Sequence, residues 1–305
     1  MTNPNASLLL QAAAAAAGGQ QYPASALYVV ATPIGNLADL SLRAIHVLAL
    51  ADAVGCEDTR HSAPLLQHLG LDKPLLAVHE HNEREAAQGV LARLARGERV
   101  AYVSDAGTPA ISDPGAALVA AVRDAGYTVV PVPGASSAVA AMSVAGDVRG
   151  TGFQFTGFLS SRGAERSQAL KALAANPMAQ VLFEAPHRIE ALVRDLAAAC
   201  DERPITLCRE LTKQFETIAT LPAQALPAWL AADTNRTRGE FVLVVHALEA
   251  SAGNLDQARH DPMLRTLMAA LPLKQAVAIA AELTGDARNA LYARALTLKD
   301  SADEG

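Results

Sequence analysis

The sequence predicts an α/β protein with two successive α/β domains and a small helical module after them. Short apolar runs alternate with segments of helical apolar spacing, which is typical of parallel sheets flanked by helices. The chain has 305 residues, enough for two or three domains of ordinary size. After position 262 only helical patterns remain, which indicates a separate helical unit.

Residues 1–24 precede the first apolar run and contain the alanine-rich stretch LLLQAAAAAAGG. The residues before this stretch carry no Lys or Arg, which a secretory signal normally has. No window reaches the roughly 18 unbroken apolar residues that a membrane helix needs. We therefore expect a mobile extension over 1–24, a cytoplasmic protein and no membrane partner.

The first α/β domain is expected over residues 25–133. Five apolar runs are its strand candidates, and four segments of helical spacing lie between them. Because strand and helix candidates alternate, the strands should be parallel, with their carboxyl ends at one edge of the sheet. The strand candidates span 26–32, 51–57, 74–80, 99–104 and 127–132.

The second α/β domain is expected over 134–248, with Gly134 near the joint. Its apolar runs lie at 181–185, 204–210 and 241–247. Residues 249–262 are interpreted as a linker. The module over 263–299 then resembles a helix-turn-helix, because Gly285 can stop one helix and Asp286 can cap the next.

Composition limits the possible functions. The formal net charge is −6, which argues against a basic surface over the whole chain but leaves a local basic patch open. The three cysteines have no metal-ligand spacing, and we predict no metal. Their odd number fits a reducing compartment.

Four polar, glycine-rich stretches follow strand candidates: ATPIGNLADLS, CEDTRHS, VSDAGTPAISDPG and VPVPGASSAVA. Glycine lets a backbone approach a ligand closely, and proline fixes a turn. Each stretch alone also fits an ordinary turn with a helix cap. Four such stretches at one sheet edge favour a ligand crevice, although neither the dinucleotide fingerprint nor the phosphate-binding loop is present.

Together with HEHNE, FEAPHRI, RELTKQFET and RGEFVLVV, these stretches resemble the ribosomal RNA branch of the tetrapyrrole methylase superfamily. The match runs in order from about residue 27 to 297. The resemblance implies two α/β domains with S-adenosyl-L-methionine bound between them, usually in a homodimer. It also implies 2′-O-methylation of a cytidine in the decoding region of 16S rRNA, in the small ribosomal subunit.

The resemblance further implies which residues contact the cofactor. They come from the loops after the strands of the first domain, from the joint and from the second domain. By position they are Pro33, Gly35, Ser104, Asp105, Ala106, Thr108, Ser136, Ser137, Phe183, Glu184 and Gly239.

A ribose hydroxyl is a weak nucleophile at neutral pH, so a proton acceptor beside it should help. The candidates are acidic and His side chains near the motifs: Glu57, Asp58, His61, His79, His81, Glu184 and His187. Each also has a purely structural interpretation, such as a helix cap. We predict Glu57 and Glu184 as catalytic, because each ends a strand candidate on the ligand side.

RNA phosphates should be bound by cations near the motif loops and in the helical module. The residues that we assign are Arg60, Arg188, Lys213, Lys274, Arg288 and Arg294. For each one alone, a solvated surface charge is the simpler interpretation.

Two other functions stay open at this point. Members of the same superfamily methylate porphyrin-like macrocycles or a modified histidine of a translation factor. A vestigial site in a non-catalytic RNA-binding assembly factor is the second alternative. The blocks EDTRH, HEHNE and RELTK, and the added helical module, favour ribosomal RNA.

Overall fold

A computed structural model describes residues 4–79, 82–249 and 260–303. It contains two five-stranded sheets in succession, followed by a helical module. This architecture confirms the predicted fold class. In the described part of the chain, no helix is both long and apolar enough to cross a membrane.

The amino-terminal segment forms helix α1 (Pro4–Ala17), so the mobile extension expected over 1–24 is wrong for these residues. Ala13 is fully buried in a core on one face of the first sheet, and Leu9 and Leu10 pack against that core. Alanine has the highest helix propensity, and its small side chain lets α1 lie close to the core that it covers.

The first sheet is parallel, with strand order β3-β2-β4-β1-β5. Its strands are β1 (Ala26–Val30), β2 (Ala53–Cys56), β3 (Leu75–Ala77), β4 (Arg99–Val103) and β5 (Thr128–Val132). The helices that cover it, besides α1, are α2 (Leu42–Leu50), α3 (Thr59–His68), α4 (Glu83–Ala95) and α5 (Ala116–Asp124).

Alternate residues of β1 belong to different cores. Tyr28 and Val30 pack with α2 and α3, whereas Leu27 packs with α4 and α5. Both faces are therefore covered by helices, which is why the strands read as continuous apolar runs. The loops after β1, β2 and β4 meet at the carboxyl edge of this sheet, where α/β folds bind ligands.

The second sheet is mixed, with strand order β6-β7-β10-β8-β9. Its strands are β6 (Phe153–Phe158), β7 (Ala179–Glu184), β8 (Pro204–Arg209), β9 (Thr217–Pro222) and β10 (Phe241–Val245). Strands β6 and β7 are parallel, and the other neighbours are antiparallel. The sequence did not predict β6 or β9. Both are edge strands, with an irregular register in β6 and exposed alternate residues in β9.

Helix α6 (Ser137–Ala145) joins the domains and packs on one face of the second sheet through Ala138, Ala141 and Ala145. The other face is covered by α7 (Gly163–Ala175), α8 (Ile189–Cys200) and α9 (Leu226–Ala231).

The carboxyl-terminal module consists of α10 (Asp261–Ala270), α11 (Leu273–Thr284) and α12 (Arg288–Asp303). It has its own core, in which Leu264, Val277 and Leu291 are buried. Gly285 ends α11 in the left-handed conformation, as predicted. Asp286 was predicted to cap the next helix, and its carboxylate contacts His260 Nε2 at 3.0 Å. Residues 250–259 of the predicted linker lie outside the described residues, and Asp261 already belongs to α10.

Candidate active site between the two domains

Two adjoining cavities lie where the carboxyl edge of the first sheet meets the second domain. Each has a volume of about 390 Å³, a size typical of small-ligand sites. The interdomain cavity has walls from both domains, and the loop cavity is bounded mainly by the loops after β1 and β4 and by the start of α3. Ile34, Ala106 and Glu240 line both cavities, which therefore share a wall.

The interdomain cavity has an aromatic wall in the second domain. Phe158 ends β6 and Phe183 lies near the end of β7, with their ring centroids 5.7 Å apart. Leu211 and Val242 add aliphatic surface. Such a wall suits a flat aromatic ring or a cation, because aromatic faces attract positive charge.

Glu184 is a fully buried carboxylate on the wall of the interdomain cavity. Its Oε1 accepts the Ala185 amide at 2.9 Å and lies 3.2 Å from Arg188 Nε. Its Oε2 is also buried and has no hydrogen-bond partner among the described residues. A buried carboxylate oxygen needs a donor, so this atom is suited to accept a hydrogen bond from a ligand.

The amino-terminal end of α6 reaches the same cavity at Ser137. The N-cap residue Ser136 makes no side-chain capping bond. The first N–H groups of a helix have no partner within it and attract anions. This end of α6 can therefore receive a carboxylate.

The loop cavity contains a histidine–carboxylate pair. His61 Nδ1 lies 2.6 Å from Asp105 Oδ2, and the Asp58 amide donates to Asp105 Oδ1 at 3.2 Å. The hydrogen bond with Asp105 raises the pKa of His61 above its ordinary value. His61 comes from the first turn of α3 and Asp105 from the loop after β4, because β2 and β4 are adjacent.

Glu57 lies beside this pair in a shallow depression that Asp58, Arg60 and Asp105 also line. Burial raises the pKa of the Glu57 carboxyl, and the Asp105 carboxylate raises it further. Asp58 caps α3, and hydrogen bonds from Arg60 lower the pKa of Asp58 to about 2. In the described ranges, no group of His, Cys, Asp or Glu side chains could hold a metal ion.

Lys213 crosses between the domains at the shared wall. Its Nζ donates to Glu210 at 2.8 Å and to Glu240 at 2.9 Å. Its aliphatic chain lies against Gly35, where an added Cβ would be 2.4 Å from Lys213 Cγ. Glu210 and Thr212 have φ of 53° and 67°. Such backbone strain is commonly stored at functional sites.

The residues predicted to contact the cofactor divide into three groups. Ala106, Ser137, Phe183 and Glu184 line the interdomain cavity. Pro33, Gly35, Ser104 and Asp105 line the loop cavity, together with Ala106. The remaining three, Thr108, Ser136 and Gly239, line neither cavity.

Two of these residues, Thr108 and Gly239, fix the surrounding loops. Thr108 Oγ1 donates to the Ala135 carbonyl at 3.0 Å and so joins the loop after β4 to the joint. Gly239 has a φ of 95°, and an added Cβ would lie 2.5 Å from Glu210 Cγ. A side chain at Gly239 would therefore displace the carboxylate that holds Lys213.

The cations predicted to bind RNA are in different situations. Arg188 Nη2 donates to the Leu159 carbonyl at 2.6 Å, in addition to the ion pair with Glu184. Arg60 and Lys213 are paired with carboxylates, as described above. Arg294 forms two hydrogen bonds with Asp261, of 2.8 and 2.6 Å.

Lys274 and Arg288 differ from these four cations. Both are exposed, and neither has an ion pair among the described residues.

Several lining residues were not predicted from the sequence. Glu240 precedes β10 and faces both cavities, and Ile34 lies between two predicted contacts. Asp113 belongs to the stretch VSDAGTPAISDPG but was not among the predicted site residues; it lines the interdomain cavity, where burial raises its pKa. The SDPG stretch was a usable signal for Asp113. Phe158 gave none, since its strand was not predicted. His81 lies outside the described residues.

The interdomain cavity fits S-adenosylmethionine by the chemistry of its walls. The amino end of α6 suits the carboxylate of an amino acid, and Glu184 Oε2 suits an ammonium or hydroxyl donor. The phenylalanine rings suit an adenine or a sulfonium.

Comparison with known proteins identifies the family. Residues 26–227 match the family described as Tetrapyrrole (Corrin/Porphyrin) Methylases, and residues 254–299 match the RsmI C-terminal HTH domain. Among solved structures, diphthine synthase has a TM-score of 0.57 at 18% identity and covers 73% of this chain and 90% of its own. A Thermus thermophilus uroporphyrin-III C-methyltransferase, complexed with S-adenosyl homocysteine, has a TM-score of 0.51 at 17% identity over 72% of this chain and 96% of its own. These two likenesses show the fold alone.

Closer relatives share one name, Ribosomal RNA small subunit methyltransferase I. The Pseudomonas aeruginosa protein is 47% identical over 275 residues, which cover 90% of this chain and 97% of that protein. The Escherichia coli O157:H7 protein is 46% identical over 273 residues, which cover 88% and 94%. The chain therefore belongs to the ribosomal RNA small subunit methyltransferase I branch of the tetrapyrrole methylase family, and it is a methyltransferase that uses S-adenosylmethionine.

Proposed function

We propose that this chain transfers a methyl group to the 2′-hydroxyl of a cytidine in the decoding region of 16S rRNA, in the small ribosomal subunit. The observation that carries the proposal is the pair of cavities with a shared wall. One cavity has walls that suit the methyl donor, and the other has a histidine–carboxylate pair that suits a hydroxyl acceptor. The names of the relatives support rRNA as the substrate.

The donor would lie in the interdomain cavity, in contact with Ala106, Ser137, Phe183 and Glu184. S-adenosylmethionine supplies an activated methyl group on a cationic sulfur. Glu184 would hold a donor group of the cofactor, and the amino end of α6 would hold its carboxylate. The loop cavity beside the donor would be lined by Pro33, Gly35, Ser104 and Asp105. Thr108, Ser136 and Gly239 would fix the loops.

The chain must orient the two reactants and exclude water. Orientation alone can contribute up to roughly 7–11 kcal/mol to such a step. Lys213 and its two carboxylate partners would hold the loop after β1 against the second domain, beside both cavities. Glu57 and Glu184 stay our proposed catalytic carboxylates, Glu184 as a ligand-holding group and Glu57 as the charged neighbour of His61 and Asp105.

RNA would be bound by the module and by the mouth of the cleft. Lys274 and Arg288 are the best placed of the six proposed cations, because they are exposed without ion pairs in the described part of the chain. Arg60 is exposed too, although it is bound to Asp58. Arg188, Lys213 and Arg294 would contact phosphate only by exchanging their present partners.

We also propose a homodimer in the cytoplasm, where small subunits are found. Val139 and Val144 of α6 and Ile218 of β9 are exposed aliphatic side chains. Ile218 pairs with Cys208, which packs against α6, so the three lie on the same side of the second sheet. Light scattering should give the mass of two chains for the wild type and of one chain for Val139→Asp.

The test of the proposed function uses small subunits from a strain that lacks this modification. Purified protein, labelled S-adenosylmethionine and subunits are incubated, and the RNA is digested for nucleoside mass spectrometry. We expect labelled 2′-O-methylcytidine in 16S rRNA. Label on a base, on a protein or on a macrocycle, or no transfer at all, would contradict the proposal.

A further inference from the structure

We propose that His61, held by Asp105, accepts the proton of the target ribose hydroxyl. This inference rests on the proposed ribose methylation and names the base for it. His61 would be a catalytic residue, and Asp105 a positioning residue that acts through it.

The pair is fixed from two sides. On one side, His61 lies in the first turn of α3, where its amide donates to the Asp58 carbonyl at 3.1 Å. On the other side, the Asp105 carboxylate is 2.6 Å from His61 Nδ1 and receives the Asp58 amide. The imidazole is therefore oriented by two loops that follow adjacent strands, which is the arrangement that a positioned base needs.

The contact also decides which ring nitrogen is available. An ionised carboxylate can only accept hydrogen bonds, so the proton of a neutral His61 stays on Nδ1 and the lone pair is on Nε2. Nε2 has no hydrogen-bond partner in the described ranges. The side chain is 65% exposed and lines the loop cavity. A hydroxyl bound there can reach a free acceptor.

The position of the cavity matches the reaction. The loop cavity shares Ile34, Ala106 and Glu240 with the interdomain cavity. A ribose hydroxyl in the loop cavity would thus have His61 on one side and, on the other, the methyl donor in the adjoining cavity.

The reaction moves one proton and one methyl group. The ribose O–H bond breaks, its proton goes to His61 Nε2, and its electron pair forms the new bond to the methyl carbon. The bond between that carbon and sulfur breaks and leaves its electron pair on sulfur, which becomes uncharged. The imidazolium is balanced by Asp105 until it releases the proton to water.

The charges around His61 set its pH dependence. Asp105, Asp58 and Glu57 are the acidic neighbours, and Arg60 opposes them from the same turn. Lys213 and Glu240 line the same cavity from the second domain. The Asp105 hydrogen bond is the largest influence and raises the pKa of His61. Methyl transfer should therefore increase as pH rises through this pKa.

Three of the other candidate bases are less suitable. Asp58 is bound by Arg60 and by the amide that it caps. Glu184 lies on the donor's cavity, and one of its oxygens is bound to Arg188. His187 is exposed and does not line either cavity.

The test compares His61→Gln, Asp105→Asn and the control His68→Gln, an exposed histidine of the same helix. Single-turnover methyl transfer to small subunits is measured from pH 5.5 to 9. His61→Gln should lower the rate about 100-fold or more and remove the acidic limb of the pH profile. Asp105→Asn should lower the plateau and move the acidic limb to lower pH. His68→Gln should match the wild type.

A second measurement does not depend on activity. The imidazole pKa of His61 is read by NMR in the free protein, and it should fall in Asp105→Asn but not in His68→Gln. Binding of S-adenosylhomocysteine and circular dichroism check that each variant is folded. If a folded His61→Gln keeps the wild-type rate and pH profile, or if His61 titrates identically without the Asp105 carboxylate, the inference is wrong. If the wild type methylates no ribose of the subunit, the proposed function has failed instead.

Discussion

Lys213 packs its aliphatic chain against Gly35 across the boundary between the two domains. Gly35 has a φ of 150°, and an added Cβ would lie 2.4 Å from Lys213 Cγ. Glycine is therefore required at position 35 by the positive φ of the backbone and by the close approach of Lys213. This contact places the loop after β1 against the strained segment after β8, at the wall shared by the two cavities.

Gly35→Ala should damage both stability and activity. Backbone strain should lower the free energy of unfolding by about 1–3 kcal/mol. Displacement of Lys213 should lower methyl transfer by about tenfold or more, because small misplacements in a site are costly. The control is Gly97→Ala, which has a φ of 87° but nothing within 4 Å of the added Cβ. The Gly97→Ala variant should lose stability and keep its activity. Equal activity losses in the two variants would show that displacement of Lys213 does not cause the loss.

Arg203 stabilises the second domain as a buried cation. Its five N–H groups donate to five backbone carbonyls, at distances from 2.6 to 3.2 Å. A lysine has fewer donors and no fork geometry. We expect Arg203→Lys to lower the free energy of unfolding by at least about 2 kcal/mol, because buried carbonyls lose their partners. Denaturant unfolding checks this, with exposed Arg123→Lys as the control that should change nothing.

The side chain of Glu83 in α4 caps the amino-terminal end of α5. Its Oε1 accepts the amides of Gly115, Ala117 and Leu118 at the start of α5, at 2.8, 2.9 and 3.1 Å. The charge also suits the positive end of α5. Glu83→Gln should therefore cost about 1 kcal/mol, measured by thermal unfolding. The exposed neighbour Glu85 is the control, and an equal effect of Glu85→Gln would show that the cap does not matter.

The carboxyl-terminal module gives a salt-dependent prediction. Lys274→Ala with Arg288→Ala should weaken binding to small subunits and flatten the plot of log affinity against log salt by about 0.7–0.9 per lost phosphate contact. Arg294→Ala is a different test, because Arg294 is bound to Asp261 and its loss should destabilise the module. If the folded double variant shows an unchanged salt slope, Lys274 and Arg288 do not contact phosphate and the module has only a structural role.

The sequence predicted the elements whose apolar pattern is strong, and it missed those that depend on their neighbours. All strands of the first sheet were predicted because they read as apolar runs between helical patterns, and the central strands β1, β2 and β4 are mostly buried. Strands β6 and β9 were missed because neither reads as a continuous apolar run: β6 begins with exposed residues and has an irregular register, and exposed residues alternate along β9. Residues 1–24 were interpreted as a mobile extension after a secretory signal and a membrane helix were set aside, although Pro4–Ala17 form α1 and Ala13 is fully buried.

The site was predicted to a similar degree. Motifs at strand ends indicated the right loops, since parallel strands bring their carboxyl ends together. Two features of the site could not be predicted from the sequence. The contact of His61 with Asp105 joins residues 44 positions apart, and no spacing rule predicts it. The division of the predicted cofactor residues between two cavities depends on how the second domain covers the first.

In the arrangement that we propose, the methyl donor occupies the interdomain cavity and the target nucleotide occupies the loop cavity. The most direct measurement is the calorimetric dissociation constant of S-adenosylhomocysteine for the wild type, Glu184→Gln and His61→Gln. Glu184→Gln should weaken binding by about tenfold or more, since a charge-assisted hydrogen bond is lost, while His61→Gln should bind like the wild type. The reverse pattern, with binding weakened only by His61→Gln, would contradict the account.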